Sequence, residues 1–197
     1  GNGGRESAIA WKLKDDPRIT QLYFAKGNAS TEKLGKTVYE TQIEDLVKFA
    51  KKEEIALTIV GPEAPLVDGI VDEFSKEGLR IFGAKKAAAN LEGSKAYSKK
   101  FMQEFGIKTA KAQIFDSYND AIAYVREQEY PLVIKASGLA SGKGVVIAED
   151  VEEAEVTIHD FMIRKIHGDA GIRLVIEEYL CGFEASVIAF SNGDQLF

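Results

Sequence analysis

The sequence predicts an α/β chain: a parallel sheet with covering helices, then a unit of shorter strands that carries a glycine-rich hairpin loop. Three observations carry this. Buried-type apolar runs alternate with one-faced helical patterns through the first 90 residues. After Gly106 the runs become shorter. Between the strand-like runs Val133-Ile134-Lys135-Ala136 and Val145-Val146-Ile147-Ala148 stands the loop Ser137-Gly138-Leu139-Ala140-Ser141-Gly142-Lys143-Gly144.

In chain order, Gly1-Asn2-Gly3-Gly4 is a glycine-rich loop of the kind that follows a buried strand, so the chain is expected to begin inside a structural unit. A short helix over 6–13 and a strand over 19–25, ending at Gly27-Asn28, come next. Ile43, Leu46, Val47 and Ala50 share one helical face, and 56–60 is a continuous apolar run of buried-strand type. Val67, Ile70, Val71 and Phe74 predict a further helix stopped at Gly78, followed by a short strand over 79–83. This alternation implies parallel strands with right-handed crossovers. A helix over 94–105 follows, with a domain boundary expected near residue 90. Strands over 112–115 and 132–136 precede the loop. A helix over 151–164 keeps Val151, Ala154, Ile158 and Phe161 on one side. A strand over 173–180 ends in acids, and a strand over 185–190 leads into a turn at Ser191-Asn192-Gly193-Asp194.

Of the 197 residues 45% are hydrophobic and 28% charged, which excludes a disordered chain. A net charge of −6 without a basic stripe argues against a nucleic-acid partner. The lysine pairs at 51–52, 85–86 and 99–100 read as solvated faces. The single cysteine, Cys181, permits no intrachain disulfide and suits a reducing, cytoplasmic compartment. No apolar stretch approaches the roughly 18 residues of a membrane span. His159 and His167 have no companions at metal-ligand spacing.

Glycines free the loop backbone to turn N–H groups toward a polyanion, and Lys143 adds a point charge where a triphosphate would lie. The loop is not a Walker A sequence: three residues separate Gly138 from Gly142, Gly144 stands where a hydroxyl is needed, and a strand follows instead of a helix. In isolation the same glycines would also serve an ordinary hairpin turn. Lys135, within an apolar strand, requires an anionic partner, and Lys95 on its helix is a second candidate. Glu177, Glu178 and Glu184 flank a strand end whose backbone could read an adenine edge; a Glu pair there also commonly faces solvent. Gly1-Asn2-Gly3-Gly4-Arg5-Glu6, at a helix N-terminus, offers N–H groups to phosphate, yet Glu6 takes the place of the third glycine of a dinucleotide fingerprint. Arg5 therefore suggests a single sugar-phosphate. Gly61-Pro62-Glu63-Ala64-Pro65-Leu66 follows a buried strand at the same sheet edge as that loop and Gly27-Asn28, the edge where open parallel sheets bind ligands. A proline-started helix with Glu63 in its first turn explains the same residues without any ligand.

These motifs, together with Gly27-Asn28-Ala29, Leu91-Glu92-Gly93-Ser94-Lys95 and Ile176-Glu177-Glu178-Tyr179-Leu180, closely resemble the phosphoribosylamine–glycine ligase (glycinamide ribonucleotide synthetase) family of the ATP-grasp superfamily, along the whole chain. The resemblance implies a Rossmann-like parallel-sheet domain over 1–90 and the first part of an ATP-grasp domain over 91–197, with an α+β lid at about 108–180. It implies ligation of glycine to 5-phosphoribosylamine with ATP and Mg2+ in purine biosynthesis. By the family pattern Lys95 and Lys135 would contact ATP phosphates and the loop with Ser137, Gly138, Ser141, Gly142, Lys143 and Gly144 would close over them. Glu177, Glu178, Tyr179 and Leu180 would hold adenine, and Glu184 its ribose. Gly3, Gly4, Arg5, Glu6, Gly27, Asn28, Gly61, Pro62 and Glu63 would form part of the phosphoribosylamine site. The chain departs from the family at Ser7 (usually His), Lys26 (usually Pro) and Phe183 (usually Glu). By the same resemblance it is expected to lack a first strand and roughly the second half, including the metal ligands, and to be inactive alone. Another ATP-grasp ligase such as carboxyaminoimidazole ribonucleotide synthase, a non-catalytic nucleotide-binding module and a dinucleotide oxidoreductase are the competing expectations.

Overall fold

Two-residue alternation is what gives the second half of the molecule its two-sided sheet. In the computed structural model, which describes residues 1–191 and 193–197, β5 (Ala112–Phe115), β6 (Leu132–Ala136), β7 (Val145–Ala148) and β8 (Leu174–Glu178) form an antiparallel sheet in the order β5-β8-β6-β7. Leu132, Ile134 and Ala136 of β6 and Leu174 and Ile176 of β8 face one side. There α7 (Tyr118–Val125) and α8 (Val151–Met162) bury Ala121, Val125, Ala154, Ile158 and Phe161 against them. The opposite face carries Val133, Lys135, Val175 and Glu177, and α6 (Lys95–Glu104) lies over the β8 end of it. The alternation thus removes Lys135 from the apolar core and turns it to the opposite face.

The first half is built from parallel pairs. β1 (Tyr23–Ala25) pairs with β2 (Lys36–Val38), and β3 (Thr58–Ile59) with β4 (Ile81–Phe82). Around them lie α1 (Gly4–Leu13), α2 (Ile43–Lys52), α3 (Glu63–Asp68), α4 (Ile70–Lys76) and α5 (Lys86–Gly93). Val47 and Ala50 of α2 close on Ile70, Val71 and Phe74 of α4.

Several expectations are corrected. Residues 19–22 are outside β1, which keeps only three residues. The continuous helix expected through Val67 and Phe74 is broken at Gly69, whose φ of 96° only glycine adopts freely. β2, α5 and α7 were not foreseen. No strand forms over 185–190: Val187 and Ile188 are exposed, and only a Ser191–Leu196 bridge and paired Phe190–Phe197 backbone bonds follow. Asn192 of the expected turn lies outside the described residues.

Ile134 is fully buried at the centre of the larger sheet. In the full-length protein Ile134→Ala is expected to cost about 2–5 kcal/mol. Ile147→Ala, on the exposed side of β7, is expected to cost about 1 kcal/mol or less. The shift in denaturant midpoint of this domain separates the two.

Candidate functional site

The Lys135 side chain finds its anionic partner on the neighbouring strand. Lys135 is paired across the sheet with Val175, and Glu177 with Val133, so lysine and glutamate are diagonal neighbours on one face. Lys135 Nζ donates to Glu177 Oε2 at 2.9 Å. Glu177 is 5% exposed, which no carboxylate tolerates unpaired, and its Oε1 lies 3.3 Å from Nζ of Lys99. Lys99 is itself buried and donates to Thr109 Oγ1 at 2.6 Å and to the Ala110 carbonyl at 3.1 Å. The reading of lysines 99 and 100 as a solvated pair is therefore wrong for Lys99, and Glu177 does not face solvent. The missed signal is spacing: Lys99 follows Lys95 at i+4, on the same face of α6.

The N-terminus of α6 is locked to the start of the glycine loop. Ser94 caps the helix by accepting from the Tyr97 N–H at 3.2 Å. The Lys95 N–H donates to the Ser137 carbonyl at 2.8 Å, and the Ala96 N–H to Ser137 Oγ at 3.1 Å. Lys95 Nζ donates to the Gly138 carbonyl at 3.2 Å. Burial pushes the Lys95 ammonium below its ordinary pKa; Glu92 opposes this and the charge of Lys135 adds to it. Gly138 packs against Ala170, where a Cβ would collide, and Gly144 is closed in by Ala136 and Ala140. Ser141 and Gly142, by contrast, form an exposed tip with φ of 49° and 76°.

A cavity of about 530 Å³ opens beneath that tip. Lys95, Lys135, Ser141, Gly142, Gly144 and Glu177 line it, as does Leu180. Ser137, Gly138, Lys143, Glu178, Tyr179 and Glu184 do not. Glu178 turns away to accept from the Lys111 N–H at 2.7 Å, and Glu184 is exposed. Lys99, Thr109 and Ala110 line the cavity without having been singled out by the sequence as site residues, and Leu91 and Glu92, noted there only as part of a motif, line it too.

A second cavity of about 530 Å³ adjoins the first, with Glu63, Leu91 and Glu92 common to both. Of the residues expected at this sheet edge Arg5, Gly61 and Glu63 line it, whereas Gly3, Gly4, Glu6, Gly27, Asn28 and Pro62 do not. Arg5 donates to the Gly61 carbonyl at 2.9 Å and to Glu63 at 3.2 Å. The backbone N–H of Glu63, followed by the Arg5 guanidinium, holds the Glu63 carboxyl below its usual range, against the opposing pull of burial. Asn28 Nδ2 donates to the Asn2 carbonyl at 2.9 Å, while its Oδ1 accepts from the Ser30 and Thr31 N–H groups. Glu6 accepts from the Gly3 N–H and lies against Gly61, where a Cβ would meet its side chain. Gly4 starts α1, Pro62 caps α3, and Gly27 has a φ of 55°. Glu6 and Asn28 thus fasten the loops to one another.

A family model described as Phosphoribosylglycinamide synthetase, N domain, matches residues 1–92, and one described as Phosphoribosylglycinamide synthetase, ATP-grasp (A) domain, matches residues 93–197. The chain belongs to the phosphoribosylglycinamide synthetase family. Phosphoribosylamine–glycine ligase of Clostridium acetobutylicum is 49% identical over 195 residues, covering 98% of this chain and 47% of the relative. That of Escherichia coli K12 is 49% identical over 200 residues, covering 100% and 47%. The crystal structure of the Thermotoga maritima ligase matches with a TM-score of 0.76 at 32% identity, over 100% of this chain and 46% of that one. The biotin carboxylase domain of a Hydrogenobacter thermophilus carboxylase, in complex with MgADP, shares the fold at a TM-score of 0.67 and 20% identity, over 91% of this chain and 43% of that one. The chain spans about half the length of the curated relatives it matches.

Within the phosphoribosylglycinamide synthetase family the departures have identifiable surroundings. Ser7 Oγ accepts from Asn28 Nδ2 at 3.1 Å, inside the loop convergence. Lys26 has a φ of 71°, a left-handed conformation that a proline ring cannot reach. Phe183 is fully exposed. Among the described residues no group of three or more His, Cys, Asp or Glu side chains could hold a metal ion. No described helix is long and apolar enough to cross a membrane.

Because the Ser137 hydroxyl is 5% exposed and already satisfies Ala96, Ser137→Ala is expected to lower stability by about 1–3 kcal/mol by orphaning a buried donor. Ser141→Ala, at the exposed tip, is expected to stay within about 0.5 kcal/mol. Thermal unfolding of the two variants in the full-length protein checks the contrast.

Proposed function

We propose that the full-length protein joins glycine to 5-phosphoribosylamine, with conversion of ATP to ADP and phosphate, and that this chain supplies its nucleotide clamp and part of its sugar-phosphate face. The observation that carries the reading is the cavity in which Lys95 and Lys135 converge beneath a glycine-rich tip, beside the Arg5–Glu63 mouth. A free carboxylate is a poor acyl donor. Transfer of the γ-phosphoryl group to glycine gives glycyl phosphate, and the amine of 5-phosphoribosylamine then attacks its carbonyl carbon with phosphate as leaving group. Such chemistry asks the protein mainly to position groups and balance phosphate charge.

In this reading Lys95 and Lys135 face the phosphates, and the tip with Ser141, Gly142 and Lys143 covers them. The strand end from Glu177 to Leu180 receives adenine and Glu184 the ribose. Arg5, with the N-terminal end of α1 and the Gly61-Pro62 turn, receives the sugar-phosphate. Residues 1–90 and 91–197 act as the two domains concerned. Magnesium is the expected companion of ATP, but the described residues offer no ligand cluster for it. A cytoplasmic location suits the substrates and the lone cysteine. The 197-residue piece alone is expected to make no product.

In the full-length protein, ADP release is expected to require glycine and phosphoribosylamine together. Lys135→Ala is expected to weaken ATP binding by about 10–100-fold through loss of a charge-assisted contact. ATP binding without substrate-dependent turnover would leave a non-catalytic nucleotide-binding module as the function.

Lys95 yields a pH prediction. A polyanion selects the charged ammonium, whose pKa in the folded protein is already lowered by burial. ATP affinity is therefore expected to fall as pH rises through that lowered value, before an ordinary lysine would titrate. ATP binding should also take up protons there, seen as a buffer-dependent heat in calorimetry. Lys95→Gln should bind more weakly and lose this proton uptake.

A further inference from the structure

We propose that Lys99 is a positioning residue that keeps the nucleotide-phosphate site cationic by holding Glu177 away from full neutralisation of Lys135. The inference rests on the nucleotide reading above and deepens it. Lys99 is held by the protein on three sides: its Nζ donates to Thr109 Oγ1 at 2.6 Å and to the Ala110 carbonyl at 3.1 Å, and forms an ion pair with Glu177 Oε1 at 3.3 Å. Its side chain is 7% exposed, whereas Lys135, on the other oxygen of the same carboxylate, is 26% exposed and faces the cavity.

Charge counting gives the consequence. Two ammonium groups and one carboxylate leave the cluster at +1. Without Lys99, Glu177 and Lys135 would form a neutral pair, with the Lys135 ammonium drawn to the buried carboxylate beside it and little attraction left for phosphate. With Lys99 in place, Glu177 is answered from both sides. It orients Lys135 without cancelling it. Because Lys99 joins α6 to the residues leading into β5 and to β8, it also has a structural role. The two roles separate by whether the effect depends on ligand charge.

The test is titration of the full-length protein with ATP and with adenosine, reading the ratio of the two affinities so that adenine contacts cancel. The cluster charge is +1 in the wild type, 0 in Lys99→Met, +2 in Glu177→Gln and +1 in the double variant. Lys99→Met is expected to lower the ATP-to-adenosine affinity ratio about tenfold. Lys99→Arg is expected to retain the wild-type ratio. Glu177→Gln should raise it, and adding Lys99→Met to Glu177→Gln should return it to within about threefold of wild type. Should Lys99→Met alone fail to fold, the step from Glu177→Gln to the double variant carries the same test. Equal losses for ATP and adenosine, or a ratio that does not follow the charge series, would overturn the proposal while leaving the nucleotide reading intact. A wild-type protein that binds neither ligand would overturn both.

Discussion

The carboxylate of Glu177, buried between Lys135 and Lys99, is the interaction on which the organisation of the second half depends. An unpaired buried carboxylate is too costly for a protein to keep, and removing one partner of a buried pair typically costs about 3–5 kcal/mol. The surroundings are therefore constrained together. β8 must lie beside β6 to bring Lys135 within reach. α6 must lie over the same face to bring Lys99. The turn before β5 must present Thr109 and Ala110 to complete the Lys99 shell. Strand order, helix placement and loop path then agree on one arrangement, as expected where polar groups are buried only when satisfied.

The same constraint divides the sheet by chemistry. One face is closed by apolar packing of α7 and α8, with Ile134 and Ile176 at its centre. The other holds ammonium and carboxylate groups around a cavity. Glu63, Leu91 and Glu92, which line both this cavity and the one at the Arg5 mouth, make α5 and the start of α3 a shared wall. The two cavities are thus separated by side chains, not by a domain-sized gap.

Much of this was legible in the sequence because periodicity and loop chemistry are local. The strands on either side of the glycine loop and α8 follow from apolar runs and from the spacing of apolar residues. Lys135 stood out because a lysine among β-branched residues needs an explanation. What the sequence could not show is which anion answers it, since Glu177 is 42 residues away and meets Lys135 only through strand pairing. The Lys99 environment was illegible for the same reason. A lysine beside another lysine reads as solvated until the residues leading into β5 and those of β8 are folded over it. Gly69 misled in the opposite direction: apolar spacing continued through it, while the left-handed backbone that glycine allows ended one helix and began the next. The exposed apolar residues 187 and 188 patterned as a strand, yet a strand needs a partner to pair with and none is present among the described residues.

The glycine loop shows how anchoring confines where a ligand could be grasped. The Ser137 N–H is committed to the Arg173 carbonyl, the Gly138 N–H to Ala170 and the Lys143 N–H to Ala140. Ser137 Oγ is committed to α6, and Gly144 has no room for a side chain between Ala136 and Ala140. The loop ends are thus parts of the scaffold, although their sequence reads as ligand-binding. Among the described residues the N–H groups of 139–142 are the loop segment without a backbone partner, and they include the two left-handed residues at the exposed tip. Lys95, Lys135 and this short run therefore line one cavity from three separate elements, the run hanging between loop ends that the scaffold holds.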